Sequence, residues 1–220
     1  VARLITGLEP ERIRECFTEV REEVVAAARR AGRAPDEVEV LAATKYVPVA
    51  ELGALLEAGV VLLGENRAQD LAEKAAAFPH RFTWDFIGQL QSRKVRDVVP
   101  HVRLIHSVAS DSVLRELARH APPELEVLIE VDIAGEESKA GVAPGELAAF
   151  LERCPVRVGG LMTMPPAAPA PEDSRRWFAA LRELAERHGL TRLSMGTSQD
   201  FSVAVEEGAT IVRVGSALLR

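Results

Sequence analysis

The chain opens on a helical stripe. Ile13, Phe17, Val20, Val24, Ala27 and Ala31 recur at spacings of three and four, with charged residues between them. Pro10 suits the first turn of such a helix and Gly32 its end. The pattern therefore predicts a leading helix of about six turns inside residues 1–33. Beyond it the period changes. Short β-branched or apolar runs fall at 38–43, 60–63, 82–87, 102–106, 125–131, 156–161, 192–195 and 210–214. Amphipathic stretches of helical period separate them. Leu52, Leu55 and Leu56 mark one, Leu71, Ala75 and Phe78 another, and Val113, Leu114 and Leu117 a third. Trp177, Phe178, Leu181, Leu184 and Ala185 mark the clearest, closed by Gly189, and shorter pieces fit 92–99, 144–153 and 199–207. Runs that are apolar nearly throughout read as parallel strands covered on both faces. The expectation is an α/β chain: a single (β/α)8 TIM barrel over 38–220 with an extra N-terminal helix, one domain in all. An open doubly wound sheet satisfies the same alternation. The Pro/Ala-rich stretch 165–171 is the one break in the pattern.

Composition narrows the choice of function. The 220 residues are 47% hydrophobic and 27% charged, ordinary for a globular protein with a real core. A net charge of −6 argues against nucleic acid as a partner, since phosphate backbones need a basic surface. Cys16 and Cys154 are too few for a disulfide scaffold or a CxxC metal site. No apolar run approaches the roughly 18 residues of a membrane span, and residues 1–10 carry no signal-peptide core. An intracellular, cytoplasmic location away from membranes is the expectation.

Barrel enzymes keep their chemistry at the C-terminal ends of the strands, and polar residues and glycines gather there. Lys45 follows the buried run ending at Ala43. An amine so placed would be partly desolvated, which favours its neutral, nucleophilic form, and neutral lysines capture carbonyls. The plain alternative is a lysine reaching a rim carboxylate such as Glu65. Gly196-Thr197-Ser198 after the seventh strand and Gly215-Ser216 after the eighth each suit the opening of a short helix. That is the usual phosphate position in such barrels, with Arg213 beside it. The plain alternative is a pair of ordinary N-caps. His106 suits packing or capping. No HExxH or carboxylate-rich spacing supports a metal.

Taken in order, the strand-end motifs resemble the pyridoxal phosphate homeostasis family. They are Ala43-Thr44-Lys45, Gly64-Glu65-Asn66, Phe86-Ile87-Gly88-Gln89-Leu90-Gln91 with Lys94, Ser138-Lys139-Ala140-Gly141, Gly160-Leu161-Met162, Ser194-Met195-Gly196-Thr197-Ser198-Gln199-Asp200 and Val212-Arg213-Val214-Gly215. The resemblance implies a fold like the barrel domain of alanine racemase and pyridoxal phosphate as cofactor. Lys45 matches the Schiff-base lysine. Ser198, Gly215 and Ser216 match the phosphate cradle, with the backbone of Thr197 adjacent. Arg213 matches the arginine facing the pyridine nitrogen, and Asn66 and Met195 match residues flanking the ring. It also implies a role in holding or delivering the cofactor, with apoenzymes that need it as partners, in a monomeric protein. One departure is Asp85, where the family usually has His.

Two functions of different class remain. One is a cofactor carrier. The other is a pyridoxal-dependent racemase or lyase. Racemisation by two bases needs a proton acceptor on each face of a carbanion. The sole tyrosine, Tyr46, neighbours Lys45 and is expected to point away from it. A cation at Arg213 would also leave the ring unprotonated and a weaker electron sink. The carrier is favoured. A phosphosugar aldolase using a Schiff-base lysine shares the same barrel, lysine and anion site, and would be colourless.

Overall fold

The computed structural model describes residues 4–135 and 140–219. Its centre is a closed parallel barrel of eight strands taken in chain order. These are β1 (Glu39–Ala43), β2 (Leu62–Glu65), β3 (Thr83–Phe86), β4 (Leu104–Val108), β5 (Glu126–Glu130), β6 (Arg157–Met162), β7 (Arg192–Thr197) and β8 (Ile211–Val214). Closure is made by β8 pairing with β1, where Leu41 lies opposite Arg213. The open-sheet alternative is thereby ruled out. Every predicted run carries a strand, but β2 and β4 start two residues late. Glu65 and Ser107, beyond the predicted runs, therefore lie inside strands, and His106 is at mid-strand and not at a strand end.

The leading helix α1 (Pro10–Arg30) has proline in its first turn and buries Ile13, Val20, Val24 and Ala27. Burying one such aliphatic side chain is worth roughly 1.5–3 kcal/mol. The remaining helices alternate with the strands: α2 (Leu52–Glu57), α3 (Ala68–Ala77), α4 (Val95–Val98), α5 (Asp111–His120), α6 (Leu147–Arg153), α7 (Arg175–Arg187) and α8 (Phe201–Glu206). α1 packs on α8 and α2, outside the barrel. On α7 the period is met by Phe178, Leu181, Leu184 and Ala185. Trp177 departs from it. It is half-buried, with the Arg176 guanidinium 4.4 Å from its ring centroid.

Two cores result. A large one lies between strands and helices. A small one joins Leu41, Leu104, Leu128, Met162 and Ile211. Strands β1, β4 and β6 are not neighbours, so Leu41, Leu104 and Met162 meet across the barrel interior. Inward and outward positions then follow strand alternation. On β7, Leu193 and Met195 belong to the outer core, which leaves Ser194 between them facing inward. On β5, Leu128 faces inward and so does Glu130, two residues on.

Candidate functional site

A cavity of about 520 Å³ opens at the C-terminal end of the strands. Lys45, Tyr46, Asn66, Glu130, Met162, Met164, Thr197, Ser198, Arg213, Gly215 and Ser216 are among its lining residues. Of the residues proposed from sequence, all but Met195 meet there. Met195 is fully buried in the outer core, because it alternates with the inward Ser194. The methionines at the cavity are Met162 and Met164. Ser138 and Lys139 lie outside the described residues.

Lys45 sits in a turn closed by the Val47 amide donating to the Thr44 carbonyl, 2.9 Å. It has left the strand, and strand alternation no longer sorts Lys45 from Tyr46. Two expectations fail for that reason. Lys45 is exposed at the cavity wall and not partly buried. Tyr46 does not point away. Its ring centroid lies 4.7 Å from Lys45 Nζ, a cation–π contact. The suggested carboxylate partner is also taken. Glu65 is fully buried and pairs with the buried Lys74, not with Lys45.

That buried pair shapes the turn. Lys74 Nζ donates to the Thr44 carbonyl at 2.9 Å and to Glu65 Oε1. Thr44 Oγ1 donates to the same carboxylate oxygen at 2.6 Å, and the Asn66 amide to the other at 3.3 Å. One carboxylate on β2 thus fixes the backbone on either side of the cavity. Gly88 completes the seat of Asn66, since a Cβ there would stand 2.0 Å from the Asn66 carbonyl oxygen. Asn66 Oδ1 is buried with no hydrogen-bond partner among the described residues. Buried polar atoms are seldom left so.

The anion cradle differs in detail from expectation. Ser198 Oγ accepts from the amides of Gly215 (3.0 Å) and Ala217 (3.2 Å), which ties the loop after β7 to that after β8. Neither Ser198 nor Ser216 is an N-cap. α8 begins only at Phe201, and residues 215–219 form a turn, not a helix. The Thr197 amide is bound by Asp200 Oδ1 at 2.7 Å, so Thr197 contributes to the cavity wall while its N–H is engaged elsewhere. Gly196 holds the turn. Its φ is +90°, and a Cβ would lie 2.6 Å from Ala204 Cβ.

Arg213 is 6% exposed. It donates to Ser194 Oγ at 2.5 Å and to the Thr163 carbonyl at 2.9 Å. Burial lowers its pKa to about 10, against the opposing charges of Glu130 and Asp200. Glu130 escaped the sequence reading. Burial pushes its carboxyl up to about 7, partly offset by Arg213. The clue was available: a charged residue sharing an inward face with Leu128 in an apolar run. Among the described residues no cluster of three or more metal-ligating side chains occurs.

A closed parallel barrel with a lysine beyond β1 and a hydroxyl-and-amide cradle joining β7 to β8 defines the class: an alanine racemase-like (β/α)8 barrel. Alanine racemase of Corynebacterium glutamicum has this fold, with a TM-score of 0.69 at 17% identity over 99% of this chain and 63% of that one. No family model matches the chain. A pyridoxal phosphate homeostasis protein of Aquifex aeolicus is 40% identical over 218 residues, covering 93% of this chain and 96% of that protein. PipY of Synechococcus elongatus, solved with pyridoxal phosphate bound, is 30% identical with a TM-score of 0.76, over 94% of this chain and all of the other. The chain belongs to the pyridoxal phosphate homeostasis protein family.

Proposed function

We propose that this protein binds pyridoxal phosphate at the C-terminal mouth of its barrel, and that it holds and hands on the cofactor in vitamin B6 homeostasis without turning over a substrate. The observation that carries the reading is the convergence of Lys45, the loops of Ser198 and of Gly215–Ser216, and the buried Arg213 on one cavity of about 520 Å³. The donor set suits the group. The small hydroxyls of Ser198 and Ser216, beside Thr197 and on the two loops that Ser198 ties together at Gly215, match a phosphate. The Arg213 guanidinium can only donate, which matches an unprotonated ring nitrogen. The orphaned Asn66 Oδ1 offers an acceptor to the ring's edge. When bound, the cofactor supplies an aldehyde that an amine captures covalently. Lys45 presents that amine, and Tyr46 braces it from one side.

Apoenzymes that need the cofactor are the proposed recipients. The acidic net charge gives nucleic acid no foothold. Tyr46 lends one observation to the racemase alternative, since it brings a phenol to the cavity. The contact, though, is made by the face of its ring.

The deciding experiment is a visible spectrum of the protein with pyridoxal phosphate, before and after borohydride reduction, followed by peptide mapping. The expected outcome is a yellow band that reduction fixes at Lys45. Lys45→Ala should lose the fixed label while its melting temperature stays within about 2 °C, because an exposed side chain contributes little to stability. Absence of a band would refute the reading. Steady racemisation or elimination of an amino acid would favour the enzyme instead.

A further inference from the structure

Arg213 is a buried cation with no carboxylate of the described residues at ion-pair distance, so its placement depends on neutral groups. Its Nη1 donates to Ser194 Oγ at 2.5 Å. The same hydroxyl lies 2.8 Å from His106 Nδ1. His106 Nε2 in turn lies 3.1 Å from Asp85 Oδ2. Arg103 donates to both oxygens of Asp85, at 2.9 and 3.1 Å, and to both oxygens of Glu39, at 2.7 and 3.0 Å. Ser194, His106 and Asp85 are all fully buried. A single line of hydrogen bonds therefore crosses the barrel interior, from the cavity at β8 through β7, β4 and β3 to charged side chains at the start of β1.

The chemistry of the two ends fixes the direction of every bond between them. A guanidinium only donates, so Ser194 Oγ must accept from Arg213 and its own proton must go elsewhere. At the far end Asp85 is ionised. Burial pushes its carboxyl up, but hydrogen bonds from His106 and Arg103 outweigh that and hold it below the usual range. An ionised carboxylate only accepts. An imidazole between a hydroxyl and a carboxylate satisfies both in one form, with the proton on Nε2 and a lone pair on Nδ1. The other tautomer sets lone pair against lone pair at Asp85. The imidazolium leaves the Ser194 proton without an acceptor in a buried place. Burial also keeps His106 below its ordinary pKa, although Asp85 pulls the other way and Arg213 and Arg103 add to the effect of burial.

We propose that His106 is a positioning residue for Arg213: a neutral imidazole, protonated on Nε2, that turns the Ser194 hydroxyl so that its lone pairs face the guanidinium. The consequence for the cofactor rests on the proposed function, because Arg213 then meets the ring end of pyridoxal phosphate pre-oriented. The hydrogen-bond assignment itself does not need the cofactor.

Two measurements test this. The first uses nitrogen-15 NMR of the histidine ring in protein without cofactor. The expected signature is a neutral Nε2–H ring across about pH 5 to 8, where an ordinary histidine would titrate. In Asp85→Asn the amide oxygen still accepts from Nε2 and the Ser194 proton still needs Nδ1, so the same tautomer should persist. An imidazolium, or an Nδ1–H ring in the wild type, overturns the proposal. The second compares Ser194→Ala, His106→Gln and the double variant by cofactor affinity and by the position of the visible band. Each single change should weaken binding by about tenfold, the worth of one hydrogen bond to a charged group. The double variant should be no worse than either single, because both break the same link. Additive losses, or unchanged affinity, would overturn the positioning role. If the wild type shows no band at all, the proposed function falls and the ring tautomer still decides the assignment.

Discussion

Glu130 is a carboxyl that the fold holds away from water. Its carboxyl stands on the inward face of β5 at the cavity, where burial raises its pKa from the ordinary 4.5 to about 7. A raised acid keeps its proton in the folded protein after the unfolded chain has released its own. The stability it contributes is therefore complete below about pH 4.5 and is lost as pH climbs through 7. Glu130→Gln imitates the protonated form at every pH. In urea titrations it should match the wild type near pH 4 and exceed it by about 1–3 kcal/mol at pH 8. Parallel curves for the two proteins would show that Glu130 is not strained by its charge. Sequence placed most of the cavity residues correctly, since Lys45, Asn66, Ser198, Arg213, Gly215 and Ser216 belong to short motifs at strand ends. It failed where the answer depended on facing. Met195 was lost because the inward parity of β7 is set by neighbours far away in the chain. Tyr46 breaks the alternation rule because that rule ends with β1 at Ala43, two residues before Lys45.

At the scale of elements, the eight strands and most helices were legible from hydrophobic period alone, because a parallel strand covered on both faces must be apolar and a covering helix must be striped. Boundaries were less legible. Glu65 and Ser107 fall outside the predicted runs, yet each is buried inside a strand with polar partners. A polar side chain buried in a barrel strand carries no local mark that separates it from a loop. The cradle was assigned to two helix starts, whereas it is a loop-to-loop link through Ser198 Oγ. Its geometry depends on Gly196 at the end of β7. Gly196→Ala would force a side chain into a left-handed backbone and against Ala204. A loss of about 2–4 kcal/mol in unfolding free energy is expected, together with weaker binding of inorganic phosphate. A fully stable variant would mean that the turn relaxes freely.

The whole molecule closes on itself: β8 is held against β1, and the cavity they share takes side chains from Ile5 to Leu219. The amine at Lys45 and the cradle at Ser198 and Gly215 are brought together by that closure alone. No chain that stops before β8 can present both. Contacts so distant in sequence form late, since the entropy of a long loop must be lost before they return anything. Capture of the aldehyde thereby becomes a clock. In refolding from urea with pyridoxal phosphate and an excess of competing amine, the lasting band at Lys45 should appear no sooner than the slowest change in fluorescence from the buried Trp84. A band that precedes it would mean a half-built barrel can already grip the cofactor. For a growing chain on the ribosome, the same closure sets the order of events: β8 is made first, and loading follows.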